Sequence, residues 1–155
     1  MAMSTPEERI AELGLELPDV VPPVASYLPT ARTGSLVYTA GQIPLVKGEL
    51  GATGKVGAEV SAEEAKAQAR ICALNAIAAL KAEVGELSRV TRIVKVVGFV
   101  ASAPDFYGQP DVVNGASDLL GEVFGEAGRH ARSAVGVAAL PRNVPVEVEL
   151  IAEVG

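Results

Sequence analysis

The sequence predicts an α+β protein: a mixed β-sheet with two helices packed on one face, preceded by a short N-terminal helix. Three observations carry this. Segments 65–84 and 111–124 each place apolar residues on one stripe at helical spacing. Strand-like segments at 35–40, 90–101, 131–138 and 144–154, β-branched except for the small-residue segment 131–138, surround and separate them. Two helices that each bury a single stripe pack together on one face of such a sheet.

Residues 4–14 read as a short helix. Ser4 and Thr5 can cap it, Pro6 suits its first turn, Glu7 and Glu8 favour its N-terminal dipole, and Gly14 ends it. Pro18, Pro22, Pro23 and Pro29 keep the chain extended as far as Thr30. Ser35–Ala40 is β-branched and aromatic, hence a strand, and Gly41 stops it. Glycines 48, 51, 54 and 57 make 44–58 a loop with at most one short strand.

Ser61 and Glu64 form a capping box. The helix behind it carries Ala65, Ala69, Cys72, Ala73, Ala76, Ile77 and Leu80 on one side, small residues that let it lie close on a sheet, and Gly85 closes it. Val90–Ala101 is a near-continuous apolar run, which predicts a strand buried on both faces. A second helix follows over about Asp111–Phe124, and two strands close the chain. In the last strand Val146, Val148, Leu150 and Ala152 point one way, and Glu147, Glu149 and Ile151 the other.

Composition bounds the function. The chain has 155 residues, which suits one domain, and is 49% hydrophobic with a mean hydropathy of +0.32. That is apolar for a small monomer and points to surface buried between subunits. The net charge is −6, and Lys and Arg are scattered, so nucleic acid is not an expected partner. One cysteine, Cys72, excludes an internal disulfide and suits a reducing compartment; with a single histidine, no zinc site is expected. Residues 1–17 lack the apolar segment of a signal peptide, and no apolar run approaches the length of a membrane span. A cytoplasmic location is therefore expected.

No phosphate-loop, nucleophile-elbow or zinc-protease motif is present. The informative segment is His130-Ala-Arg132-Ser-Ala, followed by Val146-Glu147-Val148-Glu149. Arg132 begins a strand of small apolar residues, where an unpaired guanidinium is costly. Two resolutions stand side by side. One is a structural ion pair with Glu147 or Glu149, or a side chain reaching solvent from the strand end. The other is an anion site that awaits a carboxylate. His130, the only histidine, reads as a strand-edge surface residue, and Asn114 as a residue serving the start of the second helix.

Taken together, Ala131-Arg132-Ser133, Ala139-Leu140-Pro141 and Val146-Glu147-Val148-Glu149 resemble the C-terminal signature of the Rid/YjgF family. Gly41-Gln42-Ile43-Pro44 is similar to that family's early motif, Tyr27 stands at the spacing of its site tyrosine, and Phe106 and Asn114 match the stretch that opens its second helix. The resemblance runs from Tyr27 to Val154. It implies a single domain over 1–155, with 27–154 as core and 1–26 as an N-terminal extension, in a longer branch of the family.

The resemblance implies a chorismate-mutase-like fold and a homotrimer with clefts between subunits. It also implies a hydrolase that converts small 2-imino or enamine carboxylic acids to 2-keto acids and ammonia, with no cofactor and no metal. Arg132 and Glu147 would be the catalytic residues. Arg132 would hold the substrate carboxylate and Glu147 the attacking water. Tyr27, Gly41, Asn114 and Ala134 would join Arg132 in binding substrate. The chain departs from the family pattern at Ala134, where a cysteine is common, at Gly136, where a glutamate is common, and at Ala40, where a serine is common. These departures keep open a non-catalytic module that binds a small carboxylate metabolite. An endoribonuclease, an activity historically attached to the family, fits the acidic chain less well.

Overall fold

A computed structural model describes residues 4–20 and 26–155. Pro22 and Pro23, read above as part of an extended segment, lie outside the described residues. The remainder forms one five-stranded sheet covered on one face by two long helices, as the sequence predicts.

The N-terminal helix α1 spans Pro6–Glu12 and is capped by Thr5, whose hydroxyl accepts from the Glu8 amide while the Glu8 carboxylate accepts from Thr5 N. Strands β1 (Thr30–Thr33) and β2 (Leu36–Thr39) form a hairpin. β1 is an element the sequence reading lacked: Thr-Ala-Arg-Thr has no apolar alternation, because this edge strand is mostly exposed. Segment 44–58 is a loop with isolated bridges only, as expected.

Helix α2 (Ala62–Val84) starts at Ser61, whose hydroxyl accepts from the Glu64 amide. Strand β3 (Val90–Ala101), helix α3 (Gln109–Phe124), strand β4 (Ala131–Val137) and strand β5 (Val146–Val154) follow. The sheet order is β1-β2-β5-β3-β4, with β3 and β4 parallel and the other neighbours antiparallel.

The core lies between the sheet and the helices. Val96, Val100, Val146, Val148, Leu150 and Ala152 face Cys72, Ala73, Ile77, Val112, Val113, Ala116 and Leu120, all essentially without solvent exposure. Small residues set the helix spacing. A Cβ at Gly115 of α3 would overlap the Lys66 carbonyl oxygen of α2, and one at Gly98 of β3 would overlap the methyls of Val113. Glycine at both places lets α3 settle against α2 and the sheet together.

One expectation for β3 needs correction. It is buried on the helix side only: Lys95, Val97 and Phe99, on the other face, are half-exposed. That open face also carries Tyr38, Val135 and Ile151, and Tyr38 and Val135 are exposed at 42% and 41%. The apolar run therefore signals a face that a single chain leaves uncovered.

Candidate functional site

Two groups of predicted site residues come together, at different places on the sheet. The first surrounds Arg132. In register, Arg132 of β4 lies beside Val96 of β3, a core-facing residue, so its side chain rises from the helix side of the edge strand. The close seat of Val113 on Gly98 brings the next residue of α3, Asn114, within reach. Arg132 Nη1 donates to Asn114 Oδ1 at 2.7 Å and to Ser117 Oγ at 3.2 Å, and Nη2 donates to the Pro110 carbonyl at 3.4 Å.

Neither Glu147 nor Glu149 pairs with Arg132 among the described residues, so the structural ion pair that the sequence left open is not formed. Both hydrogens of Nη1 are engaged. The donors left are Nε–H and one hydrogen of Nη2, two donors of the planar fork that a carboxylate can engage. The positive charge is half-buried and met only by neutral oxygens, which leaves an anion as its natural complement.

Two local expectations are corrected here. Asn114 lies inside α3 and not at its start, and its amide serves Arg132. His130 is no free surface residue. It is half-buried, with Nδ1 at 2.6 Å from the Gly128 carbonyl and Nε2 at 2.9 Å from Ser117 Oγ. Ser117 is a member of this group that sequence reasoning missed. Its spacing from Asn114, three residues along α3, was the available signal.

The second group surrounds Glu147. Tyr38 of β2 pairs with Ile151, but the next bridge joins Gln42 to Val148, so residues 39–41 face only 149–150: a β-bulge. The Leu150 amide donates to the Thr39 hydroxyl inside this bulge, and Gln42 and Val148 exchange backbone bonds of 2.7 and 3.0 Å beyond it. The bulge lays Gly41 against the Glu147 carboxylate so closely that a Cβ there would overlap Oε2. Burial, helped by the neighbouring charge of Glu149, raises the Glu147 carboxyl above the usual carboxylate range. A carboxyl moved toward neutrality in this way suits proton transfer.

Arg132 and Glu147 leave opposite faces of the sheet. Arg132 aligns with core-facing Val96, whereas Glu147 aligns with Phe99 on the open face. Ala134, beside Gly98, follows Arg132 along the helix side of β4, and Gly136 continues the row toward Gln109 and Ser102. Tyr27 lies in the segment leading to β1 and is 56% exposed. Cys72 is buried in the core, where burial pushes its thiol up and leaves it inert. Among the described residues no group of three or more His, Cys, Asp or Glu side chains could hold a metal ion, and no helix is long and apolar enough to cross a membrane.

Comparison with known proteins agrees with this architecture. Protein TCP17 of Trypanosoma cruzi is 43% identical over 147 residues, covering 93% of this chain and 91% of its own length. The crystal structure of a protein from Shewanella oneidensis MR-1, described as a "putative endoribonuclease", superposes with a TM-score of 0.94 at 41% identity, covering 97% of this chain and 100% of that one. Escherichia coli TdcF, solved with bound serine, superposes with a TM-score of 0.62 at 27% identity, covering 86% of this chain and 92% of its own. The family model described as "YjgF/chorismate mutase-like, putative endoribonuclease" matches residues 7–154. With that span matched and the sheet-and-helix arrangement in place, the chain belongs to the YjgF/chorismate mutase-like family.

Proposed function

We propose that the protein is a hydrolytic deaminase of small 2-imino or enamine carboxylic acids, releasing 2-keto acids and ammonia. The observation that carries this reading is the guanidinium of Arg132, fixed through Nη1 by Asn114 and Ser117 with the Nε–H edge of its fork unpaired among the described residues. That edge complements a carboxylate, and a 2-imino acid carries one next to its electrophilic C=N carbon. The serine in TdcF is consistent with a pocket for small amino-acid-like carboxylates.

The reaction asks little of the protein. Water adds to the C=N carbon to give a carbinolamine; the C–N bond then breaks as C=O forms, and nitrogen leaves as ammonia. Glu147, with its raised carboxyl, takes the proton from the attacking water and returns one to the leaving nitrogen. Arg132 holds the acid in place and Tyr27 closes over it. Positioning supplies the rest, without a strong nucleophile.

In one chain Arg132 and Glu147 stand on opposite sides of the sheet, so the site is completed by a second copy. The half-exposed apolar face built from Tyr38, Val97, Phe99, Val135 and Ile151 is the surface that copies would bury against one another. A homotrimer with three such clefts fits this reading.

A second reading has its own observation. Ala134 and Gly136 follow Arg132 on the helix side of β4 and bring no functional group to it. The same cleft would then capture a carboxylate metabolite without turning it over. Endoribonuclease activity is less well supported, because a net charge of −6 disfavours a polyanionic substrate.

Imine hydrolysis separates these readings. 2-Iminopropanoate, generated in situ by an amino-acid oxidase with semicarbazide trapping as the competing fate, is offered to wild type and Arg132→Ala. Wild type is expected to divert imine to pyruvate, and the variant is not. Stabilisation of the protein by pyruvate without any turnover would replace the deaminase by the binding module.

A further inference from the structure

We propose that His130 is a positioning residue for the anion site: through the Ser117 hydroxyl it fixes the guanidinium of Arg132 and couples carboxylate capture to proton uptake on its own ring. This rests on the reading of Arg132 as the carboxylate holder.

The hydrogen-bond chain has one consistent polarity. The Gly128 carbonyl can only accept, so His130 Nδ1, 2.6 Å away, carries a hydrogen. In the neutral ring Nε2 is then an acceptor, and the Ser117 hydroxyl, 2.9 Å away, donates to it. With its hydrogen committed, Ser117 Oγ turns a lone pair to Arg132 Nη1 at 3.2 Å. Asn114 Oδ1 takes the other Nη1 hydrogen at 2.7 Å. A five-donor group on a flexible stem is thereby held in one orientation, with its free edge outward.

Protonation leaves this geometry in place. Nε2 would become a donor to Ser117 Oγ, whose two lone pairs can accept from both the imidazolium and Arg132, while the hydroxyl hydrogen swings outward. What changes is charge. Imidazolium and guanidinium would stand about 6 Å apart along the two bonds, an unfavourable pair until a carboxylate neutralises the arginine.

The other charged groups near His130 are otherwise engaged or face away. Arg129 and Glu126 pair with each other at 3.7 Å on the exposed turn. Asp118 of α3 turns into the groove between α2 and α3, with Lys66, Arg70 and Glu122. Lys95 of β3 is in register with Ala131 and projects from the other side of the sheet. Anion binding therefore favours proton uptake at His130, and by reciprocity a fall in pH strengthens anion binding.

The test uses pyruvate, titrated calorimetrically into the full-length protein at pH 7.5 and 6.0. Wild type is expected to bind more tightly at the lower pH, by at most the about threefold that two charges at this separation allow in water. His130→Gln is expected to abolish that gain. Ser117→Ala is expected to weaken binding about tenfold at both values, and Ser117→Thr, which keeps the hydroxyl, to restore it. Because the Glu147 carboxyl is also raised, the series is repeated in Glu147→Gln, where the effect of adding His130→Gln is expected to persist.

An unchanged pH gain in His130→Gln overturns the coupling. Wild-type affinity in Ser117→Ala, with binding lost in Arg132→Ala, overturns the relay and leaves the carboxylate site standing. Binding that survives Arg132→Ala, or no binding by wild type, overturns both. Nitrogen-15 spectra of the lone histidine serve where a variant fails to fold: an unprotonated Nδ1 in wild type at neutral pH overturns the relay, and the Nδ1–H tautomer supports it.

Discussion

Arg132 Nη1 sits 2.7 Å from Asn114 Oδ1, a bond between an edge strand and the interior of the helix that covers it. The pair makes the proposed anion site a product of helix–sheet packing rather than of one loop. Asn114→Leu keeps much of the volume but removes the acceptor. It is expected to raise KM for an imino acid by about tenfold with kcat little changed, since a hydrogen bond to a charged group contributes roughly 1.5–3 kcal/mol. Arg132→Lys, which keeps the charge and loses the fork, is expected to lower kcat/KM by about a hundredfold. Steady-state kinetics on 2-iminopropanoate check both.

Helix α3 reaches β4 only because its own packing is tight. Gly115→Ala would push a methyl into the Lys66 carbonyl, a backbone atom that cannot turn aside. The expected cost is roughly 2 kcal/mol, or a fall in Tm of about 6 °C for a chain of this size. A thermal melt that matches wild type would show that α2 and α3 can separate without penalty.

The two shifted carboxylates should act on stability with opposite signs. For Glu7, burial raises the carboxyl, but the Lys81 ammonium at 2.7 Å and the Leu87 amide at 3.0 Å outweigh it and hold the group below its ordinary value of 4.5. Its stabilisation is present above the unfolded value and is lost as pH falls through the folded one. Glu7→Gln is therefore expected to lower Tm near neutral pH and to converge on wild type in acid.

Glu147 is raised, so its ionisation opposes folding once pH passes the ordinary carboxylate value. Glu147→Gln should raise Tm near neutral pH, with the gain vanishing below that value, while it removes turnover. Melts from about pH 3 to about pH 8, a range that crosses ordinary carboxylate titration, would show the two variants deviating from wild type in opposite directions.

The open sheet face yields a further expectation. Val135 is 41% exposed and lies in register with Phe99 and, across β3, with Glu147. Val135→Lys puts a charge where copies would meet. Light scattering is expected to change from trimer to monomer, with turnover lost although Arg132 and Glu147 are untouched. A monomeric wild type would remove the shared cleft.

Much of the architecture was legible in the sequence, for physical reasons. Strong helix caps at Thr5 and Ser61, apolar stripes of constant period, and the clean alternation of β5 are local signals, and each element follows from its own residues. β1 was not legible, because an exposed edge strand needs no apolar pattern and exists by pairing with β2. The apolar run of β3 predicts burial on both faces, and covering the second face by the same chain or by another would leave the same pattern in the sequence.

The site divides in the same way. The residue types at Arg132, Glu147, Gly41 and Asn114 were fixed by the order of residues, as was the mismatch between a guanidinium and its small apolar neighbours. Tertiary structure alone decided that Arg132 turns to Asn114, Ser117 and the Pro110 carbonyl instead of to a glutamate. It alone put Glu147 on the opposite face beside Gly41. The reason is the pleat: Arg132 and Glu147 belong to strands separated by β3, and which side of a sheet a residue occupies depends on register, which is set by pairing and packing across the whole fold.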